Sequence, residues 1–398
     1  MVGAPTSSQK RGYMRRLIPA IAAGALLLAA CSSGSSDSGG SSSAAPESSA
    51  ATSAAAGPDC GSTIDEIAAK AKEEGKVNLI ALPDTWANYR GIIDSFVAKY
   101  GIEAPVMNPD ASSADELTAV ETLRGQPDMP EVLDIGPSFI QQAKDAGYLE
   151  SYKPVVWDEI PASLKGEDGT WVGAYYGVLA IATNATIQPN VPKTWADLKK
   201  PEYKGQVTIN GDPREAGAAF AAVMAASLAN GGSFDDIMPG IEYFSELKKL
   251  GNLQTIDVTE AAVLSGEVPI ALDWTYNFPG LKPALDEAGF DFQVIVPADG
   301  VYGGYYAQSV VTEAPHPCAA RLWLNHLVSD EGALGYLEGG AIPARYAALL
   351  DKGLITPEVA ANLPSAETIA AISFPTQAQI DAAKAVITEQ WGPMVADL

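Results

Sequence analysis

Carboxylates and aromatic rings recur where the apolar runs of this sequence end. Residues 77–82 (VNLIAL) are followed by Asp84, Trp86 and Tyr89, and Asp134 closes a shorter run at 132–135. Tyr175 and Tyr176 lie inside the run 172–183. Asp212 and Arg214 follow 206–210 (QVTIN), and Asp273, Trp274 and Tyr276 follow PIAL. Tyr302, Tyr305 and Tyr306 sit among glycines further on. Carboxylates pair with ammonium groups and ring faces attract cations. Such a set can hold an amine without reacting with it, and Trp86, Asp273 and Trp274 lead that reading. Arg214, at the start of a predicted helix, points to a phosphate or carboxylate instead, because N–H groups and the helix dipole favour anions there. Plainer roles compete: Asp134 and Asp212 could cap turns, and Tyr175 and Tyr176 could be core.

Motifs that would make or break bonds are missing. There is no G-x-S-x-G, H-E-x-x-H, Walker A or C-x-x-C sequence. His316 lies in a Pro-rich turn and His326 on a predicted helix, neither near an obvious nucleophile. No metal and no cofactor is expected. Paired carboxylates keep a secreted lipoprotein hydrolase as the alternative class.

The elements that must position these groups alternate. A capped helix is predicted from about residue 62 to 74, then a strand at 77–82 suited to a parallel sheet, a helix at 88–100 and a strand at 105–107. A helix at 113–123, a strand at 132–135 and a helix at 137–146 follow. After the long strand 172–183, strands at 206–210, 269–274, 292–296 and 308–312 alternate with helices at 215–229, 234–250 and 318–328. This order argues for doubly wound α/β lobes. A chain of 398 residues is long for one domain, and two lobes are expected.

The first sixty residues carry none of this pattern. Lys10, Arg11, Arg15 and Arg16 precede a short apolar run, residues 17–30, which reads as a secretory signal. Leu28-Ala29-Ala30-Cys31 resembles the lipobox of bacterial lipoproteins, which implies cleavage before Cys31 and lipid on its sulfur. Residues 31–60 are mostly Ser, Ala and Gly, a flexible tether. Export places Cys60 and Cys318 in an oxidising compartment, where a disulfide between them is expected. The formal net charge of -24 repels nucleic acid and anionic membrane, so no nucleic-acid partner is expected.

Three passages carry a wider resemblance. Val191-Pro192-Lys193-Thr194-Trp195-Ala196-Asp197-Leu198 runs into Tyr203-Lys204-Gly205-Gln206-Val207. Leu264-Ser265-Gly266-Glu267-Val268-Pro269-Ile270 follows, then Ala314-Pro315-His316-Pro317 and the segment 319–332, with Ile342-Pro343-Ala344-Arg345 beyond. In this order they resemble extracellular solute-binding proteins of ABC importers, the group with polyamine-, ferric-iron- and thiamine-binding members. The resemblance implies the type II periplasmic binding protein-like fold: two doubly wound α/β lobes joined by two crossing segments, near 180–184 and 300–306. The expected division is a signal at 1–30, a tether at 31–60, lobe 1 from 61–181 and 303–398, and lobe 2 from 182–302.

It also implies an exported, lipid-anchored monomer at the outer face of the cytoplasmic membrane. Such a protein captures a small molecule in the cleft and passes it to an ABC permease. A polyamine or other organic cation is the expected solute. A phosphonate- or phosphate-like anion is one alternative. Ferric iron is another, because Tyr175-Tyr176 and Tyr305-Tyr306 resemble the neighbouring tyrosines of the ferric-binding members.

Overall fold

The computed structural model describes residues 58–398. The expected signal at 1–30, Cys31 and the expected tether up to residue 57 lie outside the described residues. No helix among the described residues is long and apolar enough to cross a membrane.

Among the described residues, nine strands form the frame: β1 (Leu79–Ile80), β2 (Val106–Met107), β3 (Val132–Ile135), β4 (Val172–Asn184), β5 (Val207–Ile209), β6 (Ile270–Trp274), β7 (Phe292–Ile295), β8 (Gly303–Val310) and β9 (Ile342–Pro343). β1 and β2 pair in parallel. The rest form one path, β3-β8-β4-β6-β5, with β7 and β9 also paired to β4. Its pairing is mixed. β5 and β6 run parallel, whereas β4 and β8 are antiparallel to their neighbours.

β4 belongs to two halves of the molecule. Residues 172–178 pair with β8, and 179–183 pair with β6. The run VGAYYGVLAIATN has no proline and buries both faces, so it passes unbroken from one sheet into the other. The change of partner falls between Val178 and Leu179, slightly before the expected crossing at 180–184. The return is β8 itself. Its start, GGYY, reads as loop in sequence, but Gly177 on β4 lies opposite Gly304 on β8, and rings fill the space. A Cβ on Gly177 would sit 2.4 Å from the Tyr276 ring, and one on Gly304 2.3 Å from Trp274. The bare backbone there is what lets the two aromatic side chains lie on the crossing strands.

Helix signals in the sequence have structural counterparts. Thr63 and Glu66 form a capping box on the helix Ile64–Glu74, and Ser112 and Asp115 form one on Ser113–Leu123. The small-residue helix Gly217–Ala229 is buried on nearly every side, which explains its lack of a polar face. Only Leu79 and Ile80 of the run 77–82 pair as strand, because Ala81 turns the chain at φ +58°. Residues 137–146 open with a 3-10 turn, Pro137–Phe139, before the helix Ile140–Asp145.

The Cys60 and Cys318 sulfurs are bonded, with Cα atoms 5.3 Å apart. Glu74 accepts hydrogen bonds from the Cys318 and Ala319 N–H groups, so the end of the first helix also caps the start of Pro317–Leu327. The C-terminal helix Gln377–Trp391, expected wholly in the first lobe, touches both halves. Gln377 donates to the Pro137 carbonyl, while Lys384 donates to the Arg214 carbonyl at 2.6 Å and Trp391 packs on Phe244.

Candidate functional site

A cavity of about 310 Å³ opens between the two halves. The first half supplies Ala81 and Trp86 after β1, residues 110–113, 115 and 116 at the start of a helix, Asp134 from β3, Tyr175 from β4 and Tyr306 from β8. The second supplies residues 210–212 and 215–218 after β5, and residues 257–259. The strand-end rule for α/β sheets leads to this same cavity.

Charge is the dominant feature of this wall. Asp110, Asp115, Glu116, Asp134, Asp212, Glu215 and Asp257 line it, and no Lys, Arg or His does so among the described residues. Trp86, Tyr175 and Tyr306 add ring surface. Some of these acids are already engaged: Asp115 takes the Ser112 N–H and hydroxyl, and Asp212 takes the Arg214 side chain.

Asp134 sits at the floor, 6% exposed. Its carboxylate accepts from the Tyr89 hydroxyl at 2.7 Å, the Tyr175 hydroxyl at 3.1 Å and the Gln308 amide. Burial raises its pKa to about 7, against the opposing pull of the two tyrosine donors. Glu116, 1% exposed, accepts from the Asp134 N–H at 2.8 Å. Burial, and then the charge of Asp134, hold Glu116 well above the usual carboxylate range. Two buried carboxyls without a basic partner therefore face one cavity, a setting that a cation relieves.

The structure brings together Trp86, Asp134, Tyr175 and Asp212 of the sequence candidates, and leaves the others off this wall. Asp84 is exposed on another face, 3.9 Å from Arg90. Arg214 turns into Asp212 through two side-chain bonds, at 2.9 and 2.7 Å, and does not face the cavity. Asp273 is buried behind the wall, where Asn210, Asn277 and the Trp274 N–H donate to it. Burial pushes it up to about 6. Trp274 and Tyr276 stack on each other, 6.0 Å between centroids, over the paired glycines of β4 and β8. Tyr302 is buried against Trp274, and Tyr305 stacks on Trp171 at 5.3 Å. The reason is the strand period: Tyr305 and Tyr306 point to opposite faces, and Tyr306 takes the cavity side.

Glu116, Asp110, Asp115, Glu215 and Asp257 also line the cavity and are not among the sequence candidates. The stretch DASSADE, with its Ser-x-x-Asp cap at a helix start, carried a signal for the first three. Neither histidine lines the cavity. His326 is packed among Phe96, Tyr100 and Trp323, and His316 bonds Glu131 at 2.6 Å.

The spermidine/putrescine-binding periplasmic protein of Escherichia coli is 28% identical over 201 residues, 49% of this chain and 55% of that protein. An uncharacterized protein of Haemophilus influenzae is 27% identical over 220 residues, 50% of this chain and 59% of that one. The chain thus spans between half and two thirds of the length of these curated relatives. Among solved structures, the periplasmic binding protein AfuA from Actinobacillus pleuropneumoniae, with fructose-6-phosphate bound, superposes with a TM-score of 0.65 at 18% identity, over 81% of this chain and 99% of that one. Iron-bound HitA from Pseudomonas aeruginosa does so with 0.56 at 20% identity, over 80% and 99%. These likenesses show the fold, two α/β lobes of the type II periplasmic binding protein kind. A family model described as bacterial extracellular solute-binding protein matches residues 128–380. The chain belongs to the family of bacterial extracellular solute-binding proteins.

Proposed function

We propose that this chain is the exported, lipid-anchored binding component of an ABC importer, and that its solute is a small organic cation of the polyamine class. The observation that carries the solute class is the cavity wall, with seven carboxylates, three rings and no basic side chain among the described residues. An ammonium ion there gains charge-assisted hydrogen bonds and ring faces, and relieves the repulsion between Asp134 and Glu116. The polyamine-binding relative supports the same class. An anion has no free cation on this wall, since Arg214 is held by Asp212. The ferric reading requires neighbouring phenolates, but only Tyr175 and Tyr306 face inward, and burial holds the Tyr175 phenol well above its ordinary value.

In this reading lobe 1 runs from about residue 61 to 178 and resumes at 303, while 179–302 form lobe 2 and Gln377–Trp391 bridges the two. The lobes close on the solute by bending the crossing strands β4 and β8, with no bond made or broken. A permease then reads the closed form, and the lipid on Cys31 keeps the monomer beside it.

A thermal-shift series tests the solute class. Putrescine and spermidine should raise the melting point of the chain from residue 58 onward, because a ligand of the native state stabilises it. A shift with fructose-6-phosphate or a ferric salt, and none with any amine, would overturn the assignment.

A further inference from the structure

Two glycines face each other across the edge of the cavity. Gly136 follows β3 in the first half, and Gly217 opens the helix Gly217–Ala229 in the second. A Cβ built on Gly217 would lie 3.0 Å from the Gly136 Cα, and one built on Gly136 would lie 2.8 Å from the Gly217 Cα. The obstacle on each side is backbone, which cannot swing away as a side-chain tip can. Neither glycine is needed for its own conformation. Gly136 has φ -57°, and Gly217 is an ordinary helical residue, so alanine would fit both backbones. What excludes a side chain is the opposite half of the molecule.

Neighbouring bonds show that this is a built contact. The Ala114 N–H, in the first turn of Ser113–Leu123, donates to the Glu215 carbonyl at 3.2 Å, a backbone bond from one half to the other. Ser113 accepts from the Gly136 N–H at 3.0 Å, which fixes the loop after β3 against that helix start. Ser113, Glu215 and Gly217 all line the cavity, so the seam is also one of its walls.

We propose that Gly136 and Gly217 form the closing seam of the cleft: the halves meet there backbone to backbone only when shut, and any side chain at either position holds them apart. The proposal rests on the two-lobe capture described above. It makes the two glycines positioning residues, which set how tightly a solute is enclosed without contributing a polar contact to it. Overpacking a rigid contact costs about 1–3 kcal/mol when it is forced closed, which is about 5- to 150-fold in affinity.

The test pairs a ligand-free readout with a ligand-dependent one, in the full chain with its native disulfide. Cysteines are placed by Ala114→Cys and Glu215→Cys, whose backbones are hydrogen-bonded in the closed form. The rate of oxidative cross-linking then reports closure. Adding Gly217→Val or Gly136→Ala should slow cross-linking about tenfold or more. In proteins without the added cysteines, the same substitutions should weaken spermidine binding, more for Val than for Ala, with little change in melting point. Undiminished cross-linking in folded Gly136→Ala and Gly217→Val proteins would overturn the seam. If the parent protein binds no amine, the solute assignment fails, while the cross-linking contrast still decides the seam. Should Gly217→Val fail to fold, Gly136→Ala from the opposite lobe decides alone.

Discussion

The Tyr175 hydroxyl donates to Asp134 at 3.1 Å, tying the crossing strand β4 to the end of β3 at the floor of the cavity. Tyr89 and Gln308 converge on the same carboxylate. Three donors around one buried acid hold it rigid in either protonation state, so its charge can answer a ligand without the wall moving.

Asp134→Asn removes that charge and keeps the size. Spermidine affinity measured by calorimetry should fall about 10- to 100-fold, the range for one charge-assisted hydrogen bond. Wild-type affinity in the Asn variant would remove Asp134 from the binding set.

The raised pKa of Asp134 gives a signed pH dependence. Its folded value of about 7 lies above the ordinary value of about 3.9. Between those limits the folded state holds a proton that the unfolded chain has released. The contribution of this group to stability is therefore full below about pH 4, is lost as pH rises towards 7, and is flat above. A bound cation favours the ionised form, so spermidine should expel protons at pH 6 and bind more tightly at pH 8. Titration at pH 6 in two buffers of different ionisation enthalpy measures the release. Equal observed heats in the two buffers would contradict it.

Trp86 and Trp274 should separate cleanly. Trp86→Ala takes a ring from the cavity wall and should weaken amine binding about 2- to 30-fold with the melting point nearly unchanged. Trp274→Ala empties the space over Gly304 and should cost about 3–5 kcal/mol in urea unfolding. If the Trp274 variant lost affinity at unchanged stability, the ring would have to reach the solute.

The disulfide joins residues 258 apart in sequence, which restricts the unfolded chain strongly. Replacing both cysteines, Cys60→Ser with Cys318→Ser, should lower unfolding free energy by about 2–5 kcal/mol and leave amine affinity intact. The bond lies on the face formed by Ile64–Glu74 and Pro317–Leu327, away from the cavity wall. Identical urea midpoints for the two proteins would show that the bond contributes nothing.

Local chemistry made much of this protein legible. Capping residues such as Thr63 and Ser112 mark helix starts through bonds that span three residues, and the apolar run of β4 announces a strand buried on both faces. The strand ends pointed to the cavity and to Asp134, Asp212 and Trp86, because in such sheets the chain must turn there, and the long run 172–183 offered Tyr175 from within. What sequence could not decide is which way each side chain faces once non-local partners arrive. Tyr306, not Tyr305, reaches the cavity, since pairing with β4 fixes the register of β8. Asp273 and Trp274 turn inward, because Asn210, Asn277 and the bare backbone of Gly304 receive them there. Arg214 satisfies Asp212 two residues away. Glu116 and Asp257, more than a hundred residues apart, become neighbours of one cavity only through the packing of two halves. Short-range bonds are written in the order of residues, whereas burial and charge at a site are sums over segments that only folding brings together.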